Sequence, residues 1–171
     1  AVRYVDGILV KAWTRKGVDK TYCMRMIEDL PNHILARGIV EIRGELYGKD
    51  LIPARSQRLA AGHLRKKQPS GMGLSFCAFQ IFDGKGTEIS NLTQLVKWGF
   101  NVCGHVKVTK DVVSKVKQLH NRWQDSLIFS EYPTDGIVVK VLDKDLQEEI
   151  GRTSIAPSWA TAIKDTWRNV Y

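Results

Sequence analysis

Hydrophobic and polar residues alternate in short stretches along much of the chain, and this pattern predicts several β-strands. The first two stretches, residues 1–4 and 8–13, flank Asp6-Gly7, a favourable turn sequence for a β-hairpin. Residues 136–141 form a continuous β-branched run instead, which predicts a strand buried on both faces. Further strands are predicted at residues 39–47, 74–82 and 159–164.

Helical patterns occur at residues 21–30, 54–67, 92–98 and 111–123. Asn91 is predicted to cap the third of these helices, and Gly99 is predicted to end it. No linker, repeat or low-complexity tract interrupts the chain. Residues 1–171 are therefore predicted to form a single α+β domain, with strands in the majority.

The composition is that of an ordinary globular protein and excludes several classes. Hydrophobic residues make up 43% of the 171 residues and charged residues 26%, which excludes global disorder. No apolar run is long enough for a membrane span, so no membrane partner is expected. Three widely spaced cysteines argue against a disulfide scaffold and a zinc ribbon, and favour a reducing cytoplasm.

The formal net charge of +8 is a weak indication of a polyanionic partner. Its distribution is more informative, because residues 54–67 contain five cations and no acid. This concentration is typical of a surface that contacts nucleic-acid phosphates, although a solvated helix face is the alternative. The candidate DNA-binding residues are Arg55, Arg58, Arg65, Lys66 and Lys67.

Three predicted strands carry a charged residue where the apolar pattern leads us to expect none: Glu45, Lys140 and Lys164. A buried charge is costly unless it meets a partner or a ligand. Lysines donate to phosphate and a carboxylate accepts from ribose hydroxyls, so the set indicates a nucleotide site. A structural Glu–Lys pair or a wet edge strand is the alternative. Asp135 is either a turn residue or an acidic partner that orients a lysine or a metal.

The usual nucleotide and hydrolase motifs are missing. The chain has no phosphate-binding Gly-Lys-Ser/Thr loop, no Gly-x-Gly-x-x-Gly after a strand and no Gly-x-Ser-x-Gly elbow. Its four histidines show no metal-ligand spacing, so no metal-binding residues are predicted.

Four segments of the chain form an ordered series of motifs: Arg43-Gly44-Glu45-Leu46-Tyr47, Leu59-Ala60-Ala61-Gly62-His63-Leu64-Arg65, Asp135-Gly136-Ile137-Val138-Val139-Lys140-Val141 and Ala156-Pro157-Ser158-Trp159-Ala160-Thr161-Ala162-Ile163-Lys164. Their order and approximate spacing resemble those of the adenylation (nucleotidyltransferase) domain of NAD-dependent DNA ligases. The resemblance extends over essentially the whole chain. It implies the fold shared by DNA ligases and mRNA capping enzymes, which has antiparallel sheets and flanking helices.

The resemblance implies a three-step reaction. A lysine attacks NAD, becomes adenylated and releases nicotinamide mononucleotide. The AMP passes to the 5′-phosphate at a nick in double-stranded DNA, and the 3′-hydroxyl then displaces AMP with the assistance of Mg²⁺. NAD and Mg²⁺ are therefore the implied cofactors, and nicked DNA is the implied partner.

The resemblance also implies roles for individual residues. Glu45 resembles the glutamate at the adenosine ribose. Lys140 resembles the motif lysine beside adenine and phosphate, with Asp135 as its companion. Lys164 resembles the last-motif lysine, which neutralises the AMP phosphate.

Three further positions match less closely. Phe79 lies where the family has a tyrosine stacked on adenine, and it keeps the π-face that stacking uses. Arg15 resembles the arginine of a Thr-Arg-Gly-Asp-Gly segment, from which the chain departs after the arginine. Arg65 matches the arginine that closes an Ala-Ala-Gly-Ser-Leu-Arg segment. Arg58 resembles the arginine that precedes those alanines in the family, but at a spacing one residue short.

The main departure from the family concerns the nucleophile. The family's lysine lies in a Lys-x-Asp-Gly motif, and the 171 residues contain none. Tyr4-Val5-Asp6-Gly7 has a tyrosine in the place of the lysine, but fits better the hairpin that follows the motif in the family. The nucleophile is therefore expected to come from elsewhere.

Three hypotheses follow. The chain is one subunit of a split ligase, as some tailed phages encode, and acts in a bacterial or phage-infected cytoplasm with a second subunit that brings the lysine. On this hypothesis the first strand has to pair with the partner, and the chain alone is inactive. Alternatively, the chain is a non-catalytic domain that binds a nucleotide or nicked DNA. The third hypothesis is a fragment of a larger enzyme.

Overall fold

The computed structural model describes residues 1–50, 52–154 and 156–165, and this part contains seven strands and five helices. The chain divides into two compact units, Ala1–Val102 (the first unit) and Cys103–Tyr171 (the second unit). None of the helices in the described residues has the length and hydrophobicity needed to span a bilayer. The assignment of residues 1–171 to a single partial adenylation domain stays a prediction.

The first unit is a five-stranded sheet in the order β2-β1-β3-β4-β5, with three helices. All neighbouring strands are antiparallel except β4 and β5. The strands are β1 (Val2–Val5), β2 (Ile8–Ala12), β3 (Ile39–Gly48), β4 (Leu74–Ile81) and β5 (Asn101–Val102). The helices are α1 (Thr21–Arg25), α2 (Pro53–His63) and α3 (Glu88–Lys97).

The N-terminal hairpin is confirmed. Asp6 and Gly7 both have positive φ angles, 47° and 82°, as a tight two-residue turn requires. A Cβ atom on Gly7 would lie 2.3 Å from the carbonyl oxygen of Ile34, so the position admits only glycine. Since β1 is paired with β2 on one side and β3 on the other, the expectation that the first strand has to pair with a partner chain was wrong.

Tyr4 belongs to the hydrophobic core of the first unit. Its side chain is fully buried and meets Phe100 edge-on, with 6.0 Å between ring centroids. The hydroxyl donates to the carbonyl oxygen of Pro31 at 2.5 Å, and burial raises the pKa of Tyr4. The Tyr4–Gly7 segment is thus a core strand and its turn, as the hairpin interpretation requires.

A carboxylate ties β4 and β5 to the loop that follows α1. Asp29 accepts hydrogen bonds from the Ser75 hydroxyl, from the Phe76 amide at 3.0 Å and from the Asn101 side chain at 2.8 Å. Helix α1 ends at Arg25, so the predicted helix over residues 21–30 was too long.

Helix α2 starts with Pro53, a residue suited to the first helical turn, and ends at His63. The predicted helix over residues 54–67 was therefore too long at its C-terminal end. Arg65, Lys66 and Lys67 follow the helix rather than lying on its surface. The Lys20 ammonium donates to the carbonyl of Leu64 at 2.6 Å. This hydrogen bond gives a partner to a backbone carbonyl at the C-terminal end of α2, where the helix itself supplies none.

Helix α3 is capped by Thr87, whose hydroxyl accepts from the Ser90 amide, and not by Asn91 as predicted. Asn91 is buried inside the helix and donates to the carbonyls of Lys85 and Thr87, each at 2.8 Å. Gly99 has φ 88° directly after the C-cap, which confirms the predicted stop.

The second unit contains α4 (Val112–Gln124), β6 (Gly136–Lys140), α5 (Lys144–Ile150) and β7 (Ala160–Lys164). Strands β6 and β7 form an antiparallel ribbon. Trp123 on α4 is buried, and its indole N–H donates to the Thr134 hydroxyl at 2.8 Å. The prediction that residues 136–141 are buried on both faces was wrong, because Val138 is 60% exposed.

A glycine substitution tests the tight packing under β3. A Cβ atom on Gly44 would lie 2.2 Å from the Phe76 ring and 2.5 Å from the Cys77 carbonyl, so Gly44→Ala should destabilise the fold by about 1–3 kcal/mol. The matched control is Gly62→Ala within α2, where nothing lies within 4 Å; it should stabilise by about 0.5–1 kcal/mol. Urea unfolding midpoints measure both changes, and equal midpoints for the two variants would contradict the packing.

Candidate functional site

The antiparallel register of β3 and β4 positions Glu45. Glu45 lies opposite Cys77, on the same strand face as Arg43 two residues earlier. The other face of β3 carries Gly44, against which the Phe76 ring packs. Glu45 is exposed, so the premise of a charge on a buried strand was wrong for this residue.

Phe79 is the extra residue of a β-bulge. Gly44 pairs with Ala78 and Arg43 with Gln80, which leaves Phe79 without a residue opposite it on β3. Ala78 is fully buried in the core, so the alternation of the strand turns Phe79 to the opposite face, which is the face of Glu45. Bulges beside functional sites commonly re-aim a side chain in this way. The structure thus brings Glu45 and Phe79 to one face of the sheet.

The beginning of β1 lies beside this face. Burial lowers the pKa of the Ala1 ammonium, Arg43 lowers it further, and the carboxylates of Glu45 and Glu41 raise it. Arg43 was not among the candidate residues of the sequence analysis, although it lies on the same strand face as Glu45. The alternating pattern could have found it, because residues 43 and 45 of one strand share a face.

Arg15 lies in the exposed turn after β2, two strands away from β3. The turn is closed by Gly17, with φ 80°, whose amide donates to the Thr14 carbonyl at 2.8 Å. The sheet therefore does not place Arg15 next to Glu45.

The cations around α2 line a groove of about 420 Å³. Arg55 and Arg58 on the helix and Lys66 after it line the groove, together with the buried His63. Arg65 and Lys67 are exposed but are not among the lining residues. The structure thus brings together three of the five predicted DNA-binding residues.

The positive charge is concentrated in the first unit. Sixteen of the 26 lysines and arginines lie in residues 1–102, against nine of the 18 acidic residues. Of the net +8, +7 therefore belongs to the unit that carries the groove.

In the second unit, Asp135 and Lys164 form an ion pair at the end of the β6–β7 ribbon. The Lys164 ammonium donates to the Asp135 carboxylate at 2.9 Å, although both side chains are more than half exposed. The hydrogen bond and charge of Asp135 raise the pKa of Lys164. Gly136 permits the close approach of the strands, because a Cβ atom there would lie 2.3 Å from the Ile163 carbonyl.

Lys140 lies at the opposite end of the same ribbon face. Gly136 pairs with Lys164 and Lys140 with Ala160, so the two lysines are four residues apart along the ribbon. This corresponds to about 13 Å. Lys140 is half-buried and Lys164 is exposed, which fits the alternative of lysines on the solvent-facing side of a strand. The ribbon thus offers two ammonium groups on one face.

The acidic residues do not form a metal-binding cluster in the part of the chain that the structure describes. No three side chains among His, Cys, Asp and Glu come together there in a way that could hold an ion.

The mixed α+β architecture, with sheets that are mainly antiparallel and flanking helices, has the fold class of adenylating nucleotidyltransferases. The family model of the NAD-dependent DNA ligase adenylation domain matches residues 1–166, and the chain belongs to this family. The fold predicted from the sequence is therefore confirmed.

Curated relatives support the same family. The chain is 31% identical to a DNA ligase of Cytophaga hutchinsonii, with 96% of this chain and 28% of the relative covered. It is 33% identical to a DNA ligase of Anaplasma phagocytophilum, with 96% and 27% covered. The chain thus spans little more than a quarter of the length of these relatives.

The ion pair on the ribbon predicts a measurable titration. Asp135→Asn should lower the pKa of Lys164 toward its ordinary value, because it removes the carboxylate that favours the charged amine. Since the folded-state pKa is raised, the pair stabilises the fold at neutral pH and loses this effect only as the pH rises through that pKa.

NMR titration of the lysine side-chain signals measures this shift. Asp125→Asn, at an exposed carboxylate after α4, is the control and should leave Lys164 unchanged. An unaltered Lys164 titration in Asp135→Asn would refute the pairing.

Proposed function

We propose that this chain is the nucleotide- and DNA-binding part of an NAD-dependent DNA ligase, and that a partner chain supplies the nucleophilic lysine. The complete enzyme would seal nicks with a 5′-phosphate and a 3′-hydroxyl, in replication and repair. The family membership over residues 1–166 supports the type of enzyme. The reaction would take place in a bacterial or phage-infected cytoplasm.

The donor set fits the adenosine half of NAD. NAD, when bound, supplies the adenylyl group. Glu45 offers a carboxylate for the ribose hydroxyls, and Phe79 offers a ring face for adenine on the same side of β3 and β4. On the ribbon of the second unit, Lys140 and Lys164 are the residues that would neutralise phosphate, with Asp135 holding the Lys164 amine in place.

The observation that carries the proposed position of the nucleophilic lysine is the register between β1 and β3. Val2 lies opposite Ile42, and β3 continues from there to Gly48. A segment in line with β1 would therefore run antiparallel to β3 past Arg43 and toward Glu45. At this point the Glu45 carboxylate is close enough to the Ala1 ammonium to raise its pKa, against the larger lowering by burial. A Lys-x-Asp-Gly segment arriving along this line would bring its lysine to the proposed ribose site.

Magnesium would be held mainly by the substrate phosphates. The described residues offer no three-ligand cluster, and Mg²⁺ in such enzymes usually keeps several waters and takes only one or two carboxylates. We therefore assign no chemical step of this chain to the metal.

The second candidate is a non-catalytic domain that binds nicked DNA or a nucleotide. Two observations favour it: the 171 residues contain no Lys-x-Asp-Gly, and the first unit carries most of the positive charge. A site for DNA phosphates in the groove beside α2 belongs to both candidates. They differ in whether Glu45, Lys140 and Lys164 act in nick sealing.

A reconstitution experiment tests the proposal. The chain alone, incubated with NAD, should form no covalent AMP adduct by mass spectrometry. Mixing it with the product of a neighbouring reading frame that contains Lys-x-Asp-Gly should give an adduct on that partner and restore nick sealing. Lys164→Ala in the mixture should reduce sealing by at least a hundredfold, since the cation at the phosphate contributes to transition-state stabilisation.

Lys97→Ala, at an exposed lysine at the end of α3, is the control and should leave sealing intact. An adduct on this chain itself, or full sealing by Lys164→Ala, would overturn the proposal. Nicked-DNA binding without any sealing in the mixture would favour the second candidate.

The groove beside α2 predicts a salt-dependent contact with DNA. Arg58→Ala removes one cation that lines the groove, so the slope of log affinity against log salt should fall by about 0.9. The same relation predicts roughly eightfold weaker binding at 0.1 M salt. Fluorescence anisotropy with a nicked duplex measures both quantities. Lys85→Ala, an exposed lysine of the first unit outside the groove, should change neither; equal losses in both variants would contradict a local site.

A further inference from the structure

A second cationic cleft lies on the sheet of the first unit, at β1 and β2. It has a volume of about 300 Å³ and is lined by Arg3, Lys11, Trp13 and Gly17. No acidic side chain is among the lining residues. The exposed turn that continues from Trp13 carries two more cations, Arg15 and Lys16.

The cations of the cleft are ordered by the ring and by the strand pairing. Arg3 lies opposite Lys11 in the β1–β2 register. The Arg3 guanidinium carbon is 5.4 Å from the Trp13 ring centroid, and the Lys11 ammonium is 6.0 Å from it. Attraction between a cation and an aromatic face holds both groups without neutralising their charge.

Both cations keep donors for an additional anion. Glu41 engages Nε and one terminal nitrogen of Arg3, yet 41% of the Arg3 side chain is exposed. Among the described residues, no other acceptor takes the remaining guanidinium donors, and none takes a hydrogen bond from the Lys11 ammonium. Guanidinium and ammonium groups that keep donors exposed to water can form charge-assisted hydrogen bonds to a phosphate diester.

The position of the cleft relates it to the proposed nucleotide site. Arg3 pairs with Glu41, which lies on the same strand face as Glu45, four residues further along β3. Lys11 on β2 is therefore two strand spacings across the sheet and four residues along the strands from Glu45 on β3. This corresponds to a separation of about 17 Å within one sheet. At 3.4 Å per base pair along a duplex, this distance spans about five base pairs.

We infer that the cleft formed by Arg3, Lys11 and Trp13 binds a backbone phosphate of duplex DNA, about five base pairs from the nick. This inference rests on the proposed function, because it takes the nick to lie at the Glu45 face. The cleft is a separate contact from the groove beside α2, with which it shares no lining residue. The two would hold the duplex at two points on one unit.

The test uses Lys11→Glu in the 171-residue chain, since Lys11 is exposed and its replacement leaves the core intact. Anisotropy with a duplex that carries a central nick and at least ten base pairs on each side should show binding at least about eightfold weaker at 0.1 M salt, because the change removes one phosphate contact and adds a negative charge. The salt slope should fall by about 0.9. Two further duplexes each have one flank shortened below about four base pairs. The difference in affinity between wild type and Lys11→Glu should disappear with one of these duplexes and remain with the other.

The control is Lys85→Glu, which makes the same change of charge at an exposed position outside both cavities. If Lys11→Glu binds like the control while Arg58→Glu binds more weakly, the inference is overturned and the proposed function stands. If the wild-type chain shows no salt-dependent binding of nicked duplex, the proposed DNA interaction itself fails. Circular dichroism spectra of the three variants must coincide, and a Lys11→Glu variant that unfolds is replaced by Lys11→Gln, with half the change in charge.

Discussion

The pairing of β3 with β4 is the constraint on which the rest of the first unit depends. At its centre the Phe76 ring packs against Gly44, where no Cβ atom fits. One residue further on, the strand turns Glu45 to the opposite face, and the bulge in β4 turns Phe79 to that face as well. A side chain at position 44 would push the strands apart and would move both groups together. The core packing and the candidate nucleotide site thus lie on opposite faces of the same β3–β4 pair.

In the second unit, too, a glycine permits a close approach between two paired strands. Gly136 lets β6 approach the backbone of Ile163 and Lys164, and this approach brings the Asp135 carboxylate to the Lys164 ammonium. Because both side chains are largely exposed, the pair contributes little to stability in water. Its effect is to hold the Lys164 ammonium in one orientation at the end of the ribbon.

Different side chains form the hydrophobic core and the charged surface of the first unit. The core consists of apolar side chains and a few buried polar ones such as Asn91, whereas the cations lie at the surface of the first unit. The groove beside α2 and the cleft at Trp13 form where a helix and its following loop, or two paired strands, bring together cations that lie several residues apart in the sequence. A polyanion that spans both would bind through geometry as well as through net charge.

The sequence by itself determined the features that depend on neighbouring residues. The Asp6-Gly7 turn, the strand over residues 39–47 and the stop at Gly99 follow from local backbone preferences and from side-chain periodicity, and the motif order was sufficient to indicate the family. Only the tertiary structure decided that α1 stops at Arg25, that Phe79 sits in a bulge, and that Asp135 meets Lys164. These outcomes depend on partners far away in the chain, and a sequence pattern records which residues are apolar or charged but not which of them pack together.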